Sequence, residues 1–268
     1  MIVFPNAKIN LGLFITEKRA DGFHNLESLF LPIPLCDILE VTVTTEETTL
    51  VCTGESSDIP TEKNIVFKAW QLLRDSHGIG NVNIHLHKII PSGAGMGGGS
   101  SDGSFMLKAL NELFHLNLSV ALLEVFAGQL GSDCPFFINN TASLVTGRGE
   151  GVEPIDFNLE GKYLAIVNPG IHISTAHAFQ GVQPKLSHFN WKEFIQHKDF
   201  EKFELLNDFE KSVFKFYPEI AEIKSVFLKA GAIYSSMSGT GSTVYALFDE
   251  EPQMDWNENY FFRTFLLD

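Results

Sequence analysis

Five glycines fall within the seven residues Gly93-Ala94-Gly95-Met96-Gly97-Gly98-Gly99, and Ser100-Ser101-Asp102 follow them. Glycine lets a backbone approach a ligand closely. The apolar period behind this run, Met106, Ala109, Leu110, Leu113 and Phe114, predicts a helix that the glycines open. Free amides at a helix start, with the positive end of its dipole, suit a phosphate. The two serine hydroxyls could bind phosphate oxygens or Mg²⁺. Two familiar phosphate loops do not fit. No lysine follows the glycines, so GxxxxGK[ST] is absent. Gly93, Gly95 and Gly98 match GxGxxG, but a dinucleotide fold needs an acidic residue ~20 positions later at the end of a second strand. Glu112 comes too early, inside the predicted helix.

Other residues could carry chemistry. Ser238-Gly239-Thr240-Gly241-Ser242-Thr243 lies between two predicted strands and reads alone as a hairpin turn. Together with the first loop it suggests a small-residue cleft lined by both halves of the chain. Asp133, in Gly131-Ser132-Asp133-Cys134-Pro135, precedes the apolar Phe136-Phe137-Ile138. A carboxylate there is a helix cap or a functional group, and its local position favours the cap. Lys8 sits mid-strand beside Asn10, opposite an apolar stripe, and alone reads as a surface lysine. His85 and His87 share one strand face without an evident third ligand, and His172 and His177 have no metal-site context, so no metal site is expected. Cys36, Cys52 and Cys134 are too widely spaced for a disulfide framework or a cysteine zinc site.

The elements that must position these residues follow from periodicity. Ile9, Leu11, Leu13 and Ile15 mark one face of a strand, with Lys8, Asn10 and Gly12 on the other. Further strands are predicted over 37–45, 82–86, 142–146, 162–167 and 244–248. Helices are predicted from a cap at Thr61 or Asn64 to Gly78, from Ser119 to Gly131, and near 174–180, 191–197, 207–216 and 218–230. Strands and helices mix without a regular βαβ alternation, which argues an α+β fold. The 268 residues suit two domains, divided near residue 155 into 1–155 and 156–268. A net charge of −14 excludes nucleic acid or an anionic membrane held by bulk charge. No apolar run reaches the ~18 residues of a membrane span. Pro5, Asn6, Lys8 and Asn10 interrupt the apolar N-terminus, so no signal segment is expected and a cytoplasmic location is.

Three segments in order, Pro5-Asn6-Ala7-Lys8-Ile9-Asn10-Leu11, Pro91 to Asp102 and Ser238 to Thr243, resemble the three motifs of the GHMP kinases. That superfamily includes galactokinase, homoserine kinase, mevalonate kinase and phosphomevalonate kinase. Arg19-Ala20-Asp21-Gly22-Phe23-His24 and Gly131 to Phe137 are similar to the branch acting on a cytidine diphosphate-linked methylerythritol in the non-mevalonate isoprenoid pathway. The resemblance runs from Ala7 to about Phe248. It implies a two-domain α+β fold, ribosomal-protein-S5-like at the N-terminus and ferredoxin-like at the C-terminus. It implies ATP-dependent phosphorylation of the 2-hydroxyl of the methylerythritol, with Mg²⁺.

The resemblance also distributes roles. The stretch Pro91, Gly93, Ala94, Gly95, Met96, Gly97, Gly98, Gly99, Ser100 and Ser101 would wrap the ATP phosphates, with Asn64 and Lys88 on the ATP side. Asp133 becomes the general base and Lys8 its partner. The attacking alcohol must lose its proton as the new P–O bond forms, and a carboxylate kept ionised by an ammonium can take it. Asn10 would help position the substrate. Which of Ser100, Ser101 or Asp102 meets Mg²⁺ stays open. Phe23, Phe30 and Phe179 match the pyrimidine-contact region, and His24 would hydrogen-bond the base. The family commonly has Tyr where this chain has Phe23, so stacking survives and a hydroxyl contact is lost. Thr175 would approach the diphosphate or polyol, and Gly239 and Thr240 the substrate. Another GHMP kinase, of homoserine or mevalonate type, and a catalytically silent nucleotide-binding protein are the alternatives. Asp21-Gly22-Phe23-His24 weighs against the first, and Lys8 with Asp133 against the second. A monomer or homodimer without nucleic-acid or membrane partners is expected.

Overall fold

The structure, a computed structural model, describes residues 1–55 and 59–268. Along the chain run β1 (Ile2–Val3), β2 (Asn6–Lys18), β3 (His24–Cys36), β4 (Ile38–Thr44), β5 (Thr49–Gly54), α1 (Ile65–His77) and β6 (Asn81–Lys88). Then come α2 (Gly98–Leu113), α3 (Val120–Leu130), α4 (Cys134–Asn139), β7 (Ser143–Gly147), β8 (Gly151–Pro154) and β9 (Tyr163–Asn168). The chain continues with α5 (Thr175–Phe179), α6 (Trp191–His197), α7 (Glu210–Phe216), α8 (Pro218–Lys229), β10 (Tyr234–Met237), β11 (Val244–Phe248) and β12 (Phe261–Leu266).

Two compact units form. The first holds residues 1–7, 34–92 and 97–141. Its sheet has the order β1-β4-β6-β5, antiparallel except for β5 against β6. Leu39, Val41, Ile84 and Leu86 share a core with Trp70 and Leu73 of α1, Met106 and Leu110 of α2 and Phe126 of α3. Local chemistry sets the helix ends. Asn64 caps α1 through Val66 N (3.1 Å), and Gly78 ends it in the left-handed region.

The second unit holds residues 8–33, 93–96 and 142–268. It carries the sheets β2-β3-β7-β8 and β10-β11-β9-β12. Leu13, Ile15, Ala165, Val167, Phe209, Ile220 and Phe227 are among its core residues.

The predicted helix over 191–197 is observed with those bounds, whereas α7 begins at Glu210 rather than 207. The periodicity leaves β1, β3, β5, β8 and β12 unassigned. Pro32 and Pro34 argue against a strand in β3, but its pairing with β7 uses Leu26 to Phe30, ahead of both prolines. The polar face of β2 does not meet solvent. Lys8 is 3% exposed and Asn10 is 1%: the Lys8 ammonium lies over the Phe30 ring and the Asn10 amide against Ser28.

Candidate active site

The glycine loop is anchored in two steps. Within the second unit, Lys8 N donates to Met96 O (2.9 Å), Thr243 N to Ala94 O (3.3 Å) and Ser238 Oγ to Gly95 O (2.9 Å). Gly95 has φ +79, and a β-carbon there would lie 2.0 Å from Ser238 O, so only glycine fits. In the first unit, α2 starts after Gly97, and its first hydrogen bond is Ser101 N to Gly97 O (2.9 Å). The amides of Gly98, Gly99 and Ser100 precede that bond and point out of the helix start, the arrangement that receives an anion. Ser100 is half-buried, while Ser101 and Asp102 are buried.

Two residues placed on the ATP side by sequence have other partners. Asn64 is buried and spends its Oδ1 on the α1 cap. Lys88 lies beneath the loop, with its Nζ donating to Asp37 Oδ2 and Asp102 Oδ2. A buried ammonium requires such carboxylates, so its charge is engaged within the first unit.

Asp133 stands half-buried at the N-cap position of α4. Its backbone is helical (φ −83, ψ −10) and its side chain makes no capping bond, so the local reading as a cap is not what the structure shows. The helix behind it is held by α2. Ser104 Oγ donates to Cys134 O (2.7 Å), and Lys108 Nζ donates to Phe137 O (2.8 Å). Burial pulls the Lys108 ammonium down to about 8.

In the second unit, Lys8 Nζ donates to Asn10 Oδ1 (2.6 Å) and lies 4.2 Å above the Phe30 ring. Asn10 Nδ2 donates to Ser28 Oγ (2.9 Å), and Ser28 Oγ donates to Gly12 O (2.6 Å). Phe30, buried, forms the floor under Lys8.

His24 and Phe179 stack at 4.6 Å with 20° between their planes. Burial, with Lys18 adding, holds the imidazole below its ordinary value, which favours the neutral ring that both donates and accepts. Phe23 is 55% exposed, and the Arg148 guanidinium lies 4.9 Å from its ring centre. Thr175 is exposed one helical turn from Phe179 on α5, on the same face.

Gly239 and Thr240 are half-buried on the second loop. Two residues without a role in the sequence reading support that loop. Asn207 Nδ2 donates to Met237 O (2.7 Å) and Gly239 O (2.9 Å). Glu210 accepts from Met237 N (2.8 Å) and from Lys224 Nζ (2.6 Å). The only sequence signal was a polar pair at the start of a predicted helix. His85 and His87 both contact Thr53 Oγ1 (3.0 and 2.9 Å). Among the described residues, no three His, Cys, Asp or Glu side chains gather to hold a metal, and no helix is long and apolar enough to cross a membrane.

The family model "GHMP kinases N terminal domain" matches residues 64–141, and "GHMP kinases C terminal" matches 191–255. A homoserine kinase from Cytophaga hutchinsonii shares the fold, with TM-score 0.64 at 18% identity over 92% of this chain and 85% of that one. Fold, glycine loop and family models define the class: an ATP-dependent small-molecule kinase of the GHMP type, α+β in two domains. A relative from Bacteroides thetaiotaomicron named 4-diphosphocytidyl-2-C-methyl-D-erythritol kinase is 48% identical, over 97% of this chain and 98% of its own. A crystal structure titled 4-(cytidine 5'-diphospho)-2C-methyl-D-erythritol kinase has TM-score 0.78 at 31% identity, covering 92% of this chain and 90% of that one. The chain belongs to the 4-diphosphocytidyl-2-C-methyl-D-erythritol kinase family.

Proposed function

We propose that the protein transfers the terminal phosphoryl group of ATP to the 2-hydroxyl of a cytidine diphosphate-linked methylerythritol, releasing ADP and the 2-phosphate. The step belongs to non-mevalonate isoprenoid precursor synthesis. The observation that carries the substrate assignment is the stacked His24–Phe179 pair, an aromatic and hydrogen-bonding surface suited to a pyrimidine. Full-length likeness to proteins of that name supports it.

In this reading the amides of Gly98, Gly99 and Ser100 hold the ATP phosphates, within a loop that runs from Pro91 through Gly93, Ala94, Gly95, Met96 and Gly97 to Ser101. Mg²⁺ would ride on those phosphates and offset their charge, with the half-buried Ser100 the hydroxyl placed to share it. Asp133 takes the proton of the 2-hydroxyl as the P–O bond forms. Lys8 offsets the developing negative charge, a role that rests on the motif resemblance. Asn10 sets the Lys8 ammonium by its 2.6 Å bond. Phe23 adds an exposed stacking face, without the hydroxyl of the Tyr common at that position. Thr175, Gly239 and Thr240 line the substrate's path. Asn64 shapes the ATP side through the start of α1. We place the domain division near residue 155 and the protein in the cytoplasm, as a monomer or homodimer with no nucleic-acid or membrane partner.

The test is one incubation with ATP, Mg²⁺ and the cytidylyl methylerythritol, with homoserine and mevalonate as controls. ADP together with a substrate heavier by one phosphate is expected. Turnover of either control in its place would overturn the substrate assignment.

A further inference from the structure

Three ionisable side chains lie buried at the base of the glycine loop, all within the first unit. Asp37 immediately precedes β4, Lys88 ends β6, and Asp102 lies near the start of α2. Their exposures are 0%, 7% and 1%. Lys88 Nζ donates to Asp37 Oδ2, and to Asp102 Oδ2 at 2.6 Å. The other oxygen of Asp37 accepts from the backbone amides of Ile89 (2.5 Å) and Ile90 (2.8 Å). The segment leading into the loop and the helix leading out of it are therefore tied through one ammonium. A β-carbon on Gly98 would lie 3.5 Å from that Nζ, so the charge sits against the helix start.

Stability alone does not account for this arrangement. A buried ion cluster is often no better for stability than an apolar replacement of the same volume. One ammonium faces two carboxylates here. Burial pushes Asp102 up to about 8, against the opposing pull of Lys88. Asp102 Oδ1 and Ser101 Oγ, both buried, lack a hydrogen-bond partner among the described residues. Such a costly group makes sense where geometry is its product.

We infer that Asp37, Lys88 and Asp102 are positioning residues of the phosphate cradle, holding the two ends of the loop at a fixed separation so that the amides of Gly98 to Ser100 meet the ATP phosphates. The inference rests on the ATP-loop reading above. It gives Lys88 a supporting place beneath the loop instead of a contact with ATP, and it removes Asp102 from the candidates for a direct Mg²⁺ contact.

The test uses the full chain and steady-state kinetics in both substrates, with thermal unfolding on the same samples. Asp102→Ala cuts the tie at the helix end. It is expected to raise the KM for ATP about tenfold, within the range by which remote misplacement of reacting groups slows enzymes. The KM for the cytidine substrate should stay within about twofold of wild type. Asp102→Asn keeps the bond to Lys88 and should restore most of the ATP affinity. An unchanged ATP KM in a folded Asp102→Ala protein overturns the inference. So does an equal rise in both KM values, which a general loss of structure would produce. Should Asp102→Ala fail to fold, Lys88→Arg keeps the charge and moves the bond. It should raise the ATP KM selectively, and no change overturns the inference. Wild-type protein that shows no ATP binding overturns the loop reading itself, and the inference with it. Wild-type ATP use with indifferent variants overturns the inference alone.

Discussion

Among the described residues the amides of Gly98, Gly99 and Ser100 have no backbone acceptor at the start of a 16-residue helix, whereas from Ser238 to Thr243 the chain turns from β10 into β11 and bonds largely to itself. Ser238 N donates to Thr243 O (2.9 Å) and Gly241 N to Ser238 O (3.0 Å). What the second loop has left goes to the first, through Thr243 N to Ala94 O and Ser238 Oγ to Gly95 O. Two segments of similar composition thus differ in what their backbones bond to. Glycine marks a close approach in both, but only amides without acceptors are available to an anion. The foundations differ as well. Beneath the first loop one lysine serves two carboxylates, while beside the second Glu210 and Lys224 pair one to one.

The largest expected effect separates chemistry from phosphate holding. Asp133→Asn should lower kcat by at least about 10²-fold, the range for a positioned acid–base group, with little change in the ATP KM. Near-normal turnover would remove Asp133 as the base. Gly97→Val then tests the first loop directly. Gly97 has φ +70, where a β-branched residue is strained, so ATP affinity should fall by roughly tenfold or more while cytidine-substrate binding persists. Unchanged ATP affinity in a folded variant would leave the two loops alike.

Phe179→Ala should raise the cytidine-substrate KM about tenfold, near the low end of the ~1–3 kcal/mol that base–aromatic stacking supplies. Phe179 also meets Phe209 edge-on at 4.8 Å. A purely structural role would instead cost about 3–5 kcal/mol of stability with substrate affinity unchanged. Asn207→Ala probes the second loop as a brace. It leaves the buried Met237 carbonyl short of a donor, a loss of about 1–3 kcal/mol in denaturant unfolding, with the ATP KM nearly unchanged. An ATP defect as large as that of Gly97→Val would make the second loop part of the cradle.

The smallest effect is a slope with pH. Folded Asp102 keeps its proton up to about 8, while the unfolded chain releases it near 4. The folded state therefore binds more protons across that window, and stability falls as pH rises through it. One site contributes at most about 1.4 kcal/mol per pH unit. Lys88 and Asp37 face this carboxyl, and the Cys52 thiol on β5 senses it. Asp102→Asn should flatten the slope seen in unfolding between pH 6 and 8. A slope equal to wild type would place the proton elsewhere.

By itself the sequence determined the local features of this protein. Apolar residues at 106, 109, 110 and 113 placed α2, Gly78 marked the end of α1 while its cap stayed open between Thr61 and Asn64, and the ordered motifs from Lys8 to Thr243 named the family. These are signals between neighbours in the chain, where period and capping chemistry act directly. Only the tertiary structure decided which charges and rings meet. Lys88 reaches Asp37 across 51 positions and Asp102 across 14. His24 finds Phe179, and Asn207 finds the carbonyls of a loop 30 residues further on. Lys8 and Asn10 alternate like solvent-facing residues, yet both faces of β2 are covered. Alternation records which residues share a face, not what is packed over it. A charged side chain's role depends on the partner and the burial it meets there, and both come from segments distant in the chain.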